Sequence, residues 1–255
     1  MKSSPWRLRL THEGHSAIRV EWPGKPIRFD PYRDVGRDDR CVLTWHECER
    51  AEGLVHAIRA GVEPQVVASS AVRAWLTSVG RVRDQAPGGR FGEVLVEALE
   101  YAPIPYATPT EFVRKAKAGL MNPLLAVRRL RRRVGLPEAK PIIAQLTFPD
   151  GGRLLHLNCS LHHNTDAEWL SRAAQRFGGA DWVILGVDYE DHDAIEQLIG
   201  RFEPGTLLVT DLVNDTRATL GLPTRILTPL VDTLKDRGFD AHPFVEGASY
   251  RYETQ

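Results

Sequence analysis

His46 and Cys48 stand two positions apart in the run LTWHECERAEG from Leu43 to Gly53, with Glu49 next to Cys48. An imidazole and a thiolate are donors that Zn²⁺ favours, and a carboxylate adds a further ligand. Cys159 and Asp211 lie far downstream. If the fold gathers His46, Cys48, Cys159 and either Glu49 or Asp211, they would hold one zinc ion. Water activated by that metal would then cleave an ester, a lactone or a phosphodiester. Strand alternation supplies the competing reading, because a single residue of register decides whether His46 faces a cleft, the core or solvent. Cys159 also has the chemistry of a nucleophile with His156, His162 or His163 as base, and equally that of a small buried residue.

Three other groupings carry charge or donor atoms. His162 and His163 follow a strand and suit an anion or a metal, or simply a solvated loop before a helix. Asp188, Asp191, His192 and Asp193 look metal-like in isolation, but Asp191 as a helix N-cap with Asp193 in the first turn is the plainer account. Arg128, Arg129, Arg131, Arg132 and Arg133 place five arginines in six residues. A guanidinium pairs bidentately with phosphate or carboxylate, so this run suits a phosphate-bearing ligand, nucleic acid or an acidic protein surface. A solvated helix face paired to neighbouring acids is the alternative. No interleaved aromatics or zinc fingers accompany the arginines.

The elements that must position these residues begin as short strands at 6–11, 16–22, 27–29 and 42–44, punctuated by turns such as Pro23-Gly24. Helical spacing of Leu54, Val55 and Ile58 predicts a helix over 49–59, followed by a strand at 66–68 and a helix at 70–77. A strand at 94–99 precedes Thr108-Pro109-Thr110-Glu111, a capping box that starts a basic helical insertion at about 108–136. A hairpin pairs 142–148 with 153–157 around Pro149-Asp150-Gly151-Gly152. Thr165-Asp166-Ala167-Glu168 caps a helix to 177, and strands at 182–185 and 206–210 alternate with helices at 191–201 and 225–237. Two runs of strands, each passing into strand-helix alternation, predict an αββα sandwich of two mixed sheets in one α/β domain spanning 1–255.

Composition excludes several classes. With 255 residues, 42% hydrophobic and 26% charged, the chain is globular rather than disordered or fibrous. Lys+Arg and Asp+Glu both number 33, so no global field draws it to nucleic acid or an acidic membrane. No apolar run spans a bilayer and 1–9 lacks a secretory core, which predicts a cytoplasmic protein. Three cysteines form no even disulfide framework, consistent with that compartment.

The stretch Glu13-Gly14-His15-Ser16-Ala17-Ile18, followed by Ile27-Arg28-Phe29-Asp30-Pro31, resembles the opening of metallo-β-lactamase-superfamily hydrolases, most of all the L-ascorbate-6-phosphate lactonase branch. The order of later strands, Val42-Leu43-Thr44, Gln65 to Ala68, Arg153 to Ser160, Ala180 to Leu185 and Leu207 to Thr210, extends the resemblance over most of the chain. It implies a dinuclear metal site, and His15 in its turn would be structural. The family's loop ligands fall here on Trp45, Glu47, Glu49 and Arg50, its bridging Asp on Cys159, and its last His near Thr210 or Asp211. The His expected among residues 101–106 is absent. Only Glu49 keeps the ligand's chemical type, and a guanidinium at a ligand position repels a cation. The sequence therefore predicts a frame that has lost the metal pair, needs no cofactor, and acts as a binding or assembly component with a protein partner. A zinc hydrolase with the relocated His/Cys/Glu site and a nucleic-acid or phosphate binder are the alternatives.

Overall fold

The computed structural model describes residues 6–14, 16–23, 25–32, 34–45, 48–84, 89–101, 139–157, 166–187, 192–211, 224 and 226–253. Seven strands, β1 (Trp6–Gly14), β2 (Ala17–Glu21), β3 (Ile27–Phe29), β4 (Arg40–Val42), β5 (Gln65–Val67), β6 (Arg83–Asp84) and β14 (Ser249–Glu253), form one sheet in the order β14-β1-β2-β3-β4-β5-β6. The second sheet, also of seven strands, runs β13-β12-β11-β10-β9-β8-β7, built from β7 (Arg90–Phe91), β8 (Val94–Glu100), β9 (Ile142–Thr147), β10 (Arg153–His156), β11 (Trp182–Val187), β12 (Thr206–Asp211) and β13 (Ala241–Pro243). Each sheet is mixed. β3 through β6 and β10 through β13 are parallel, and the remaining pairs are antiparallel.

Alternation along the strands divides the apolar side chains between two faces. Val42 and Val67 join Leu8, Leu10, Ile18 and Phe29 against Val96, Ala144, Leu154, Ile184 and Leu208 of the other sheet, forming the core between the sheets. Their neighbours Cys41, Leu43, Val66 and Ala68 face outward under Leu54 and Ile58 of α1 (Cys48–Arg59) and Val72 and Leu76 of α2 (Ser70–Val79). On the other side, Ile143, Leu155, Val183, Leu185 and Val209 meet α3 (Ala167–Phe177), α4 (His192–Phe202) and α5 (Thr228–Asp236) through Leu170, Phe177, Leu198, Phe202, Leu230 and Leu234. Helices thus cover both outer faces, and the expected αββα sandwich is the architecture.

Local boundaries differ in instructive ways. The cap of α3 is Asp166, whose carboxylate accepts from the Glu168 amide, as the capping sequence requires. α5 starts at Thr228 rather than 225, with Pro229 in its first turn, where proline's missing N–H costs nothing. β1 reaches Gly14, three residues beyond the expected end, and β6, β7, β13 and β14 were not expected as strands. Among the described residues no helix is long and apolar enough to cross a membrane. The basic insertion at about 108–136 lies outside the described residues.

Candidate functional site

The carboxyl ends of the parallel strands of both sheets meet at one end of the sandwich, the place where open α/β sheets bind ligands. Backbone bonds join the sheets there: the Ile142 amide, at the start of β9, donates to the Thr44 carbonyl just past β4 at 2.8 Å. Side chains mark the same end as polar. His12, Ser16, Asp30, Thr44, Ser69, His156 and Thr210 are all buried here, and Gln145 is the one described buried polar residue elsewhere. Burying polar groups costs stability unless they are bonded, so their concentration identifies the part of the fold shaped by something other than packing.

Asp30 sets the exit from β3. Its φ of 44° is left-handed, a conformation that aspartate tolerates better than most side chains. There its carboxylate accepts from the Thr44 amide at 2.7 Å and the Thr44 hydroxyl at 2.6 Å, while its own amide donates to the Val42 carbonyl at 2.9 Å. This latch fixes where the chain leaves β4 and enters the Trp45 segment.

His12 continues the inward-facing series Leu8, Leu10, His12 on β1. The Gly14 amide donates to its Nδ1 at 3.2 Å, and its Nε2 shares a hydrogen bond with Thr210 Oγ1, 2.9 Å away at the end of β12. The imidazole bridges the two sheets, edge-on to the Phe244 ring. Beside it, Gly14 has a φ of 103°, and a Cβ there would lie 3.0 Å from the Glu246 carboxylate. The backbone conformation favours glycine, and a larger residue would also have to displace the Glu246 side chain. His156 stacks on Phe29 with ring centroids 4.7 Å apart, a fully buried pair that again spans the sheets.

On the far side of the same end, Glu100 closes β8. Its Oε1 accepts from the amide and hydroxyl of Ser70 at the start of α2, at 2.8 and 3.2 Å. Its carbonyl accepts from the Trp169 indole N–H at 3.0 Å, and Tyr101 packs against that indole. Below the rim, Arg28 lies between Glu13, 2.7 Å away, and Asp39, 3.2 Å away. Burial opposes its charge, but the two carboxylates outweigh burial and hold its pKa above the ordinary value.

The sequence-derived candidates distribute unevenly over this end. Trp45 is half-buried just past β4, and Asp211 is half-buried as the last residue of β12. Cys48, Glu49 and Arg50 belong to the first turn of α1, their side chains outside the described set. His46, Glu47, Cys159, His162, His163, His15, Asp188, Asp191 and the arginines 128–133 fall outside the described residues. His156 is committed to the stack on Phe29, in the core between the sheets. Sequence reasoning passed over His12, the Asp30–Thr44 latch and the Glu100–Ser70 contact. The one available signal was the inward parity of His12; the other two depend on strand neighbours.

Of the ligand positions that the family resemblance assigns, Trp45, Thr210 and Asp211 have described side chains, and among these three Asp211 alone is a carboxylate donor. An indole offers a cation no lone pair, and the Thr210 hydroxyl is engaged with His12. Among the described residues no three His, Cys, Asp or Glu side chains gather as a metal would require.

Comparison by sequence finds no matching protein family and no matching curated protein. Comparison by structure finds several solved proteins of similar fold. A metallo-hydrolase, Igni18, from the archaeon Ignicoccus hospitalis is similar over 97% of this chain and 99% of its own, with a TM-score of 0.62 at 15% identity. Isothiocyanate hydrolase from Delia radicum gut bacteria is similar over 97% of this chain and all of its own, with a TM-score of 0.62 at 13% identity. CmlA, a diiron β-hydroxylase from Streptomyces venezuelae, is similar over 99% of this chain but 55% of its own, with a TM-score of 0.63 at 11% identity. At such identities the likeness is one of fold, and the chain has the metallo-β-lactamase-like fold of metallo-hydrolases and diiron hydroxylases.

Proposed function

We propose that this protein keeps the metallo-hydrolase frame but has given up its paired metals, and works by binding at the carboxyl end of the sandwich. The observation that carries this reading is the chemistry at the two described positions where the family resemblance calls for histidine. Trp45 stands at the first, and the second falls near Thr210, whose hydroxyl meets His12, or Asp211, a carboxylate. None of the three supplies an imidazole, and the indole offers a cation no lone pair. The arginine-rich run 128–133 gives the same protein a second place to meet an acidic protein partner.

A metal-dependent fold gains stability from its metal, because a ligand that binds only the native state stabilises it by mass action. On this reading the melting temperature is the same in excess Zn²⁺ and in excess chelator. A rise of several degrees on adding Zn²⁺, reversed by chelation, would contradict it.

A further inference from the structure

The N-terminus of α2 carries features that capping alone leaves unexplained. Ser69 is its N-cap, yet the Ser69 side chain makes no cap bond. Ser69 is 2% exposed, and among the described residues its Oγ has no hydrogen-bond partner. A buried hydroxyl normally finds a partner, so an unpartnered one at a helix N-terminus marks where a polar group is missing. The first turn of α2 holds no acidic residue, so no side chain of that turn complements the helix dipole there. What sits there is one oxygen of Glu100, 2.8 Å from the Ser70 amide and 3.2 Å from its hydroxyl.

We infer that this N-terminus is an oxyanion-receiving subsite of the cleft, with the Glu100 carboxylate standing in for a carboxylate or phosphate of the ligand and giving way when the ligand arrives. Helix N-termini bind such groups through their free amides and the dipole. The Ser70 amide and hydroxyl and the Ser69 hydroxyl supply the donors. Glu100 is built to move only at its side chain. Its carbonyl is held by Trp169, and the next amide, of Tyr101, donates to the Pro141 carbonyl at 3.0 Å. The inference deepens the proposed function by naming the chemical class of the ligand group.

The test is titration of the full chain with inorganic phosphate and, separately, with acetate at fixed ionic strength, following backbone amide resonances of residues 69–72. Wild-type protein, Glu100→Ala, Glu100→Gln and Glu100→Ala/Ser69→Ala are compared. Removing a competitor that occupies the site raises apparent affinity by the inverse of the open fraction, so both Glu100 variants bind roughly tenfold tighter than wild type. Adding Ser69→Ala weakens the Glu100→Ala variant about fivefold, the worth of one hydrogen bond. Tighter phosphate than acetate assigns a phosphoryl ligand, and the reverse assigns a carboxylate. Unmoved amides at 69–72 in both Glu100 variants, or shifts that chloride reproduces at equal strength, would overturn the subsite. Glu100→Gln keeps the side chain's shape and covers the case in which the alanine variant does not fold. Metal content is measured on the same samples: a bound metal pair would defeat the proposed function while leaving the anion result to stand or fall separately.

Discussion

His12 Nε2 and Thr210 Oγ1, 198 residues apart in sequence, lie 2.9 Å apart in the buried space between the two sheets. The bond ties β1, at the start of the chain, to β12, near its end, at the rim where the site must form.

Replacing His12 by Ala removes the bridge and the edge-on contact with Phe244, and leaves the Thr210 hydroxyl buried without this partner. The expected loss is about 2–4 kcal/mol of unfolding free energy. Thr210→Val keeps the shape but removes the hydroxyl that meets His12 Nε2, at an expected cost of about 1–3 kcal/mol. Chemical denaturation of the two single variants and the double variant checks this. The double variant should lose less than the sum, because each change removes the same bond.

The Asp30–Thr44 latch predicts a larger coupling. Asp30→Asn converts a charge-assisted acceptor pair into one with a misplaced NH₂ group, and should cost about 2–4 kcal/mol; Thr44→Val removes only the hydroxyl bond and should cost less. A double-mutant cycle giving a coupling of about 1 kcal/mol or more supports the latch. Additive losses would show that the two residues act independently.

The alkaline limb of stability reports on Cys41. Its thiol is fully buried under α1 and α2, and desolvation, aided by Asp39, raises its pKa far above the ordinary 9.0. A group whose folded pKa is raised contributes stability that is complete below its unfolded pKa and is lost as pH climbs above it. The protein therefore loses stability from about pH 9 upward, by at most about 1.4 kcal/mol per pH unit for this group. Cys41→Ala should lower stability at neutral pH by about 1 kcal/mol and flatten that decline. A decline of unchanged slope would contradict the assignment. Tyr252, whose pKa burial also raises, adds a later component above about pH 10.

How much of this was legible before the structure follows from which interactions are local. The alternating runs at 16–22 and 27–29 and the capping sequence at Asp166 carry their own instructions, and the strands and helix formed where those patterns lie. Two-residue strands such as β6 and β7 are too short for a period to show, and β13 ends in Pro243, a residue that reads as a strand breaker but is tolerated on an edge. β14 carries Tyr250 and Tyr252, which close the open edge of the sandwich. Tyr250 packs on His242 and Phe244, and Tyr252 on Trp182, contacts set by β13 and β11 rather than by neighbours in sequence.

The site divides along the same line. The family resemblance supplies a register that assigns ligand positions residue by residue, but Glu47 and Cys159 lie outside the described residues. The buried polar layer could not be read from sequence, since Asp30 gains meaning only from Thr44 fourteen residues on, and Glu100 only from Ser70 thirty residues back.

Metal content of protein purified without chelator tests the central claim most directly. Elemental analysis for zinc, iron and manganese should return far less than one metal per chain, with no increase after dialysis against Zn²⁺ and buffer exchange. Two equivalents of tightly held metal per chain, with a hydrolytic activity that chelation abolishes, would contradict it.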